Sequence, residues 1–383
     1  MNSRTSFPFL ATTGIVLVLL VACGGAPVAP GPAASPAITS LPASAPTASA
    51  FASTPAPTAV RPAPTLDAEA ALMATLMAQS APTALPPTTP DKRSVATIDT
   101  DSPFAAALGA GALWVTNVDD NTLARIDLHT NRVVATIRLG ARGGTYGSPR
   151  AVVGAGTDVW ATDSADHTIV RIDPSTNRVV TTIPLGVEPD EMAVDGTTIW
   201  VTSLVNDQLL RIDAQTRKVV ARLDMHTATH VVVSHGSLWV VNHRDDRITR
   251  VDPRTNRVVA TIALGHGPSA RCGFCVQHIA GDARGIWVPE NLGDQLARID
   301  PTTNQVVATL PVQGEPIGIA VRADGVWVGT GVGTVVRVDP RASRVTETVA
   351  VGTGVIWTLE ASGNELWVVL TDQKQVVRFV PSR

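Results

Sequence analysis

Aromatic residues are scarce in this 383-residue chain: Phe, Trp and Tyr together make up 4% of it, and there is a single tyrosine, Tyr146. Cysteine is scarcer still, with three copies, Cys23, Cys272 and Cys275, which excludes a disulfide-dense small-domain scaffold. Charge of one sign is missing too. The 30 Lys and Arg nearly balance 33 Asp and Glu for a formal net charge of −3. With no basic stripe and no aromatic cluster on a basic face, nucleic acid is not expected as a partner. Beyond a short apolar stretch near the start, no run is long and apolar enough to cross a membrane. Also absent are a nucleophile elbow, a Gly-rich phosphate loop and a repeated Asp-rich Ca²⁺ loop, so the chemistry those motifs carry is not expected.

What the chain does contain is tryptophan at a nearly fixed interval. Trp114, Trp160, Trp200, Trp239, Trp287, Trp327 and Trp367 are separated by 46, 40, 39, 48, 40 and 40 residues. Downstream of each comes Arg-Ile/Val-Asp, as in Arg125/Asp127, Arg171/Asp173, Arg211/Asp213, Arg250/Asp252, Arg298/Asp300 and Arg337/Asp339; the seventh copy keeps Arg378 and loses the Asp. A run such as Asn-Arg-Val-Val-Ala-Thr-Ile follows. Alternating apolar residues with Gly, Pro and Asn punctuation at this period describe one four-stranded unit repeated. Seven units make a closed, all-β, seven-bladed β-propeller with four antiparallel strands per blade.

Blade 3 shows the expected pattern: strand a over 191–195, b over 198–202, c over 208–213 and d over 218–223, each short and β-branched. The Asp of Arg-Ile-Asp is placed to fasten the c–d turn, the Arg to bond between blades, and the Trp to wedge between adjacent sheets. Repetition in every blade marks these as framework. The last blade ends at strand c, and residues 93–98 read like its missing outer strand. The N-terminal strand is therefore expected to complete the last blade and remove an exposed edge.

The chain ahead of the repeats divides in two. Residues 1–22 have the short basic and apolar regions of a secretory signal, ending in Leu20-Val21-Ala22-Cys23. That tetrapeptide resembles the lipobox of bacterial lipoproteins. The resemblance implies lipidation at Cys23 and an extracytoplasmic protein attached by its lipid to the bacterial cell membrane, or to the outer membrane of a two-membraned cell. Residues 23–92 are rich in Pro, Ala, Ser and Thr and read as a disordered, semi-rigid spacer, interrupted by a marginal helix over 67–80. The propeller is expected over 93–383, as a monomer.

Leu-Trp-Val-Thr-Asn (113–117), Leu-Ala-Arg-Ile-Asp (123–127) and Thr-Asn-Arg-Val-Val-Ala-Thr-Ile (130–137) resemble the YVTN family of β-propeller repeats. The resemblance covers 93–383 and implies fold and extracytoplasmic location; it implies no activity.

Positions that do not repeat carry the functional information. At the start of strand a stand Phe104, Arg150, Glu191, His230, His278, Ile317 and Trp357. Three residues past each repeat Trp stand Asn117, Asp163, Ser203, Asn242, Glu290, Thr330 and Leu370, expected as a second polar ring on the same face. From these sets Arg150, Glu191, Glu290, Asp163, Asn242 and Trp357 are candidate ligand-binding residues, and His230 and His278 candidate catalytic ones. Two lengthened d–a loops, about 141–148 and 266–276, fall on that face.

His230 and His278 in adjacent blades, with Trp287-Val-Pro-Glu290, also resemble the streptogramin (virginiamycin B) lyases. That resemblance implies a C–O lyase using these histidines and a Mg²⁺ held by glutamates. The Glu-Pro-His of that family reads Val276-Gln277-His278 here, so one metal carboxylate is missing. Outside this alternative no cofactor or metal is expected.

Cys272 and Cys275, in Cys-Gly-Phe-Cys, admit a redox pair, a zinc site with His266 and His278, or a disulfide. The redox reading lacks a βαβ scaffold, and exported thiols oxidise before they meet zinc, which favours the disulfide. The function expected is a membrane-anchored module binding an extracellular protein or small molecule, with the lyase as the alternative. A quinone-cofactor propeller is a weaker third reading, since the repeats lack the extra tryptophans of such docking motifs.

Overall fold

Each of the first six repeats carries four short β-branched runs separated by turn residues and folds as a four-stranded antiparallel sheet. The computed structural model describes residues 94–140, 147–265 and 276–381, all within the unit Ala74–Arg383. The signal segment, Cys23, the spacer, the helix expected over 67–80, Tyr146 and the Cys272/Cys275 loop lie outside the described residues.

Seven four-stranded sheets form a seven-bladed propeller. Blades 1 to 6 span 103–138, 152–184, 192–224, 228–263, 280–311 and 316–350, each built from consecutive strands. In blade 3 the strands are Met192–Asp195, Thr198–Ser203, Gln208–Asp213 and Lys218–Asp224. Blade 7 differs in the way the ends of the chain required. Ile356–Ser362, Glu365–Leu370 and Gln375–Phe379 supply its inner strands, and Ser94–Asp99 pairs antiparallel with the last of them, Thr97 opposite Val377 and Ile98 opposite Val376. The outer strand of the last blade thus comes from the start of the propeller, which leaves no open edge at the seam.

The core is distributed between blades. One cluster joins Trp239, Val241 and Ile248 of blade 4 to Val276, Ile286, Val288 and Ile299 of blade 5, and comparable clusters lie between other neighbouring blades. Six of the seven repeat tryptophans are fully buried, with Trp160 4% exposed. In six of the seven blades the repeat arginine stacks on the tryptophan of its own blade, at 5.4 Å for Arg125 over Trp114 and 4.9 Å for Arg250 over Trp239.

The c–d turns are fastened as their sequence requires. Asp127 accepts from the backbone N–H groups of His129 and Thr130 at 3.0 and 2.8 Å, and Asp173, Asp213, Asp252, Asp300 and Asp339 repeat the bond. These bonds hold all six carboxyls below their ordinary pKa. Near the axis the blades crowd. A Cβ added to Gly154 would sit 2.4 Å from the Leu108 carbonyl oxygen, so only glycine fits where blades 1 and 2 meet.

Candidate functional site

The inner strands enclose a central channel whose mouth is a cavity of about 240 Å³ lined by Phe104, Arg150, Asp190, Glu191, His230, His278 and Trp357, among others. Six of the seven non-repeated positions at the start of strand a therefore converge on one funnel. Ile317, the seventh, is buried in the wall.

Two subsets can be distinguished. On one side the Phe104 and Trp357 rings meet at 5.4 Å, and the Arg150 guanidinium lies 4.7 Å over the Phe104 ring while pairing with the Asp190 carboxylate. Phe104 is thus covered by a cation on one side and touches Trp357 on another. Burial pushes the Asp190 carboxyl up, against the pull of Arg150.

Opposite stand the titratable groups. The His230 and His278 rings are 4.8 Å apart, and Glu191 Oε2 is 3.6 Å from His230 Nδ1. The Glu191 and His230 side chains keep 20% and 22% of their surface exposed; protein packs the rest. Burial pushes Glu191 up to about 8, helped by the Asp190 charge and opposed by a hydrogen bond from the Met192 backbone N–H. Burial holds His230 well below its ordinary value, and the neighbouring His278 lowers it further. His278 falls to about 4 through burial and the Arg150 charge. Burial thus disfavours the ion pair between Glu191 and His230 and favours the neutral acid facing the neutral imidazole. At 3.6 Å the two atoms stand just beyond hydrogen-bond length.

Deeper in the channel lies Glu360, which the start-of-strand alignment passes over. Its signal is in the register. Opposite the repeat tryptophan on strand a stand Ala107, Val153, Ala193, Val232, Ala280 and Ala320, and in blade 7 Glu360 takes that place. Burial pushes it up to about 7 against the Leu108 backbone amide. Asp190 was missed because it precedes strand a, in a loop where the blades differ in length.

The second ring departs from expectation. Asp163, Asn242 and Glu290 are buried, Asp163 bonded across to blade 1 and the other two within or just ahead of their own blades. Asp163 accepts from Asn121 Nδ2 at 2.9 Å, Asn242 Nδ2 donates to the His226 carbonyl at 2.6 Å, and Glu290 Oε2 accepts from Gln295 Nε2 at 3.0 Å. The structure does not bring them to the funnel with Arg150, Glu191 and the histidines. The physical reason is position: strand b is second from the axis, and neighbouring loop and strand residues cover its end. The same placement bears on the Mg²⁺ of the lyase resemblance. Glu290 is turned into its own blade, and among the described residues no three His, Cys, Asp or Glu side chains are grouped to hold a metal ion.

Fold and site together define a seven-bladed β-propeller with an acid- and imidazole-lined axial funnel. Among solved structures the chain is similar to Kuenenia stuttgartiensis hydrazine synthase, with a TM-score of 0.61 and 15% identity over 77% of this chain and 99% of that one. It is also similar to the β-propeller domain of Myceliophteria thermophila Cps50 (Swd1), with a TM-score of 0.62 and 12% identity over 76% of this chain and 99% of that one. At these identities the likeness is one of fold. No protein-family model matches the chain, and no curated protein does.

Proposed function

We propose that this chain is a membrane-anchored, extracytoplasmic binding module of YVTN type whose ligand enters the axial funnel. The observation that carries the reading is the convergence of Arg150, Glu191, His230, His278, Phe104 and Trp357, none of them part of the repeated framework, on one cavity. Pockets of this kind, apolar walls with a few convergent polar groups, are where ligands bind, although a propeller as such hosts many functions.

The electrostatics favour a small, uncharged, hydroxyl-bearing ligand. Arg150 is already paired with Asp190, and burial favours the neutral forms of Glu191, His230 and His278. A hydroxyl between Glu191 and His230 would accept from the protonated acid and donate to the imidazole, while Trp357 offers an aromatic face. A thermal-shift and calorimetric screen of sugars and polyols tests this. Binding should appear in the parent protein and vanish in the His230→Ala, His278→Ala variant; equal binding by both would move the ligand elsewhere. Anchoring is tested separately: Cys23→Ala should move the protein from the membrane to the soluble fraction.

The 4.8 Å contact between His230 and His278 favours one second reading, a C–O lyase acting like the streptogramin lyases. Incubation with virginiamycin B, followed by mass spectrometry for the ring-opened product, tests it. An unchanged substrate would discard that reading and leave the binding role intact.

A further inference from the structure

The junctions between blades are not equivalent, and the exceptions are informative. In four of the six c–d turns the position before strand d is Asn131, Asn177, Asn256 or Asn304, at φ between 54° and 58°, a left-handed conformation that asparagine adopts readily. Its side-chain oxygen accepts from the repeat arginine of the preceding blade. Arg125 Nη1 donates to Asn177, Arg211 to Asn256, Arg250 to Asn304 and Arg378 to Asn131, at 2.7–3.0 Å.

At the junction of blades 2 and 3 this latch is replaced by its electrostatic opposite. The turn position is Arg217, at φ 59°. The arginine that should meet an acceptor there, Arg171, has instead one polar partner among the described residues, Asp158 at 2.7 Å through Nη2. Among the described residues its Nη1, the arm that forms the latch elsewhere, makes no hydrogen bond. Arg171 and Arg217 instead line one cavity of about 420 Å³ with Asp158, Thr181, Thr197 and the Trp160 ring. Asp158 is the one acid among the residues lining it, against two arginines. The other altered turn serves as a contrast. Arg298 of blade 5 also lacks a latch, but the turn residue facing it in sequence is neutral Ser343, so no second cation is brought in.

We propose that the cleft between blades 2 and 3 is an anion site, in which Arg171 and Arg217 hold the carboxylate or phosphate head of a small organic anion. An oxygen of that head takes the place of the missing asparagine oxygen, and planar guanidinium forks suit it. The apolar walls supplied by Trp160, Val194 and Ile199 receive the rest of the molecule. The inference is independent of the funnel and stands whether or not the funnel binds a ligand.

The test uses the full-length chain, with sodium phosphate and sodium benzoate as probes and sodium chloride at equal ionic strength as reference. One or both probes should raise Tm with the logarithm of concentration above Kd, by about 2 °C or more near ten times Kd. A phosphate-only response assigns the head to phosphate, and a benzoate response assigns it to carboxylate. Arg217→Asn installs the residue that four other blades carry at this position, so the variant should fold, melt higher without any anion and lose the response. Arg171→Gln should lose the response as well. No shift beyond chloride in the parent, or an undiminished shift in Arg217→Asn, would overturn the proposal.

Discussion

Arg378 of the last blade donates from Nη1 to Asn131 Oδ1 of the first, at 2.9 Å, across 247 residues of chain. The same nitrogen donates to the Leu128 carbonyl, and Nε and Nη2 hold Glu365. One side chain thus joins the seam of the ring, beside the strand Ser94–Asp99 that closes the same blade. Asn131→Gly keeps the left-handed backbone and removes only the acceptor, so it should cost about 1 kcal/mol. Arg378→Ala also strands Glu365 and should cost about 2–4 kcal/mol. Urea unfolding of both variants checks the order; a loss in Arg378→Ala no larger than in Asn131→Gly would refute the stranding of Glu365.

The closing strand gives a second test. A chain beginning at residue 93 keeps Ser94–Asp99, and one beginning at 101 lacks it. The longer chain should melt as the full protein does. The shorter should lose more than about 4 kcal/mol, because Val376 and Val377 lose their strand partners and an edge opens. Identical melting curves for the two truncations would refute closure by this strand.

The repeat tryptophans carry stability and the funnel histidines do not. Trp200 is fully buried at the blade 3–blade 4 contact, so Trp200→Ala should cost about 3–5 kcal/mol. His230 and His278 border open space, and replacing them with Ala should leave Tm within a few degrees while abolishing ligand binding. Calorimetry of the three variants separates framework from site.

The buried acid and imidazoles set opposite pH limbs. Glu191 stands at about 8 in the folded protein against 4.5 ordinarily. The folded state therefore binds its proton more tightly, and its contribution to stability declines as pH rises from 4.5 to 8. His278 falls from 6.5 to about 4, so the unfolded state takes up the proton first and stability declines as pH falls from 6.5 to 4. Glu191→Gln should flatten the alkaline limb, and His278→Gln the acidic one, each by about 1–3 kcal/mol. Denaturant unfolding across that range reads both, and unchanged limbs would show that these groups are solvated in the folded state.

Much of this architecture follows from local order. A Trp every 40 residues or so, an Arg-Ile-Asp turn and a β-branched outer strand specify a blade wherever they occur, because strand propensity, turn chemistry and side-chain alternation act over a few residues. The identity of residues 93–98 with an outer strand made closure at the seam legible as well. Breaks in the repeat pointed to Arg150, Glu191, His230 and His278, because a position free of framework duty can vary between blades. The tertiary structure decided the rest. It turned Asp163, Asn242 and Glu290 into buried hydrogen-bond partners away from the funnel, Asp163 across the blade junction to Asn121, since the cover over a strand end comes from neighbouring loops and blades. It made Glu360 a channel residue, because only the strand register sets it in line with six alanines and valines. It also made Arg217 consequential: an arginine in a turn is unremarkable in sequence, and it matters here because ring closure sets it against Arg171 in a cleft where the neighbouring junctions have an acceptor.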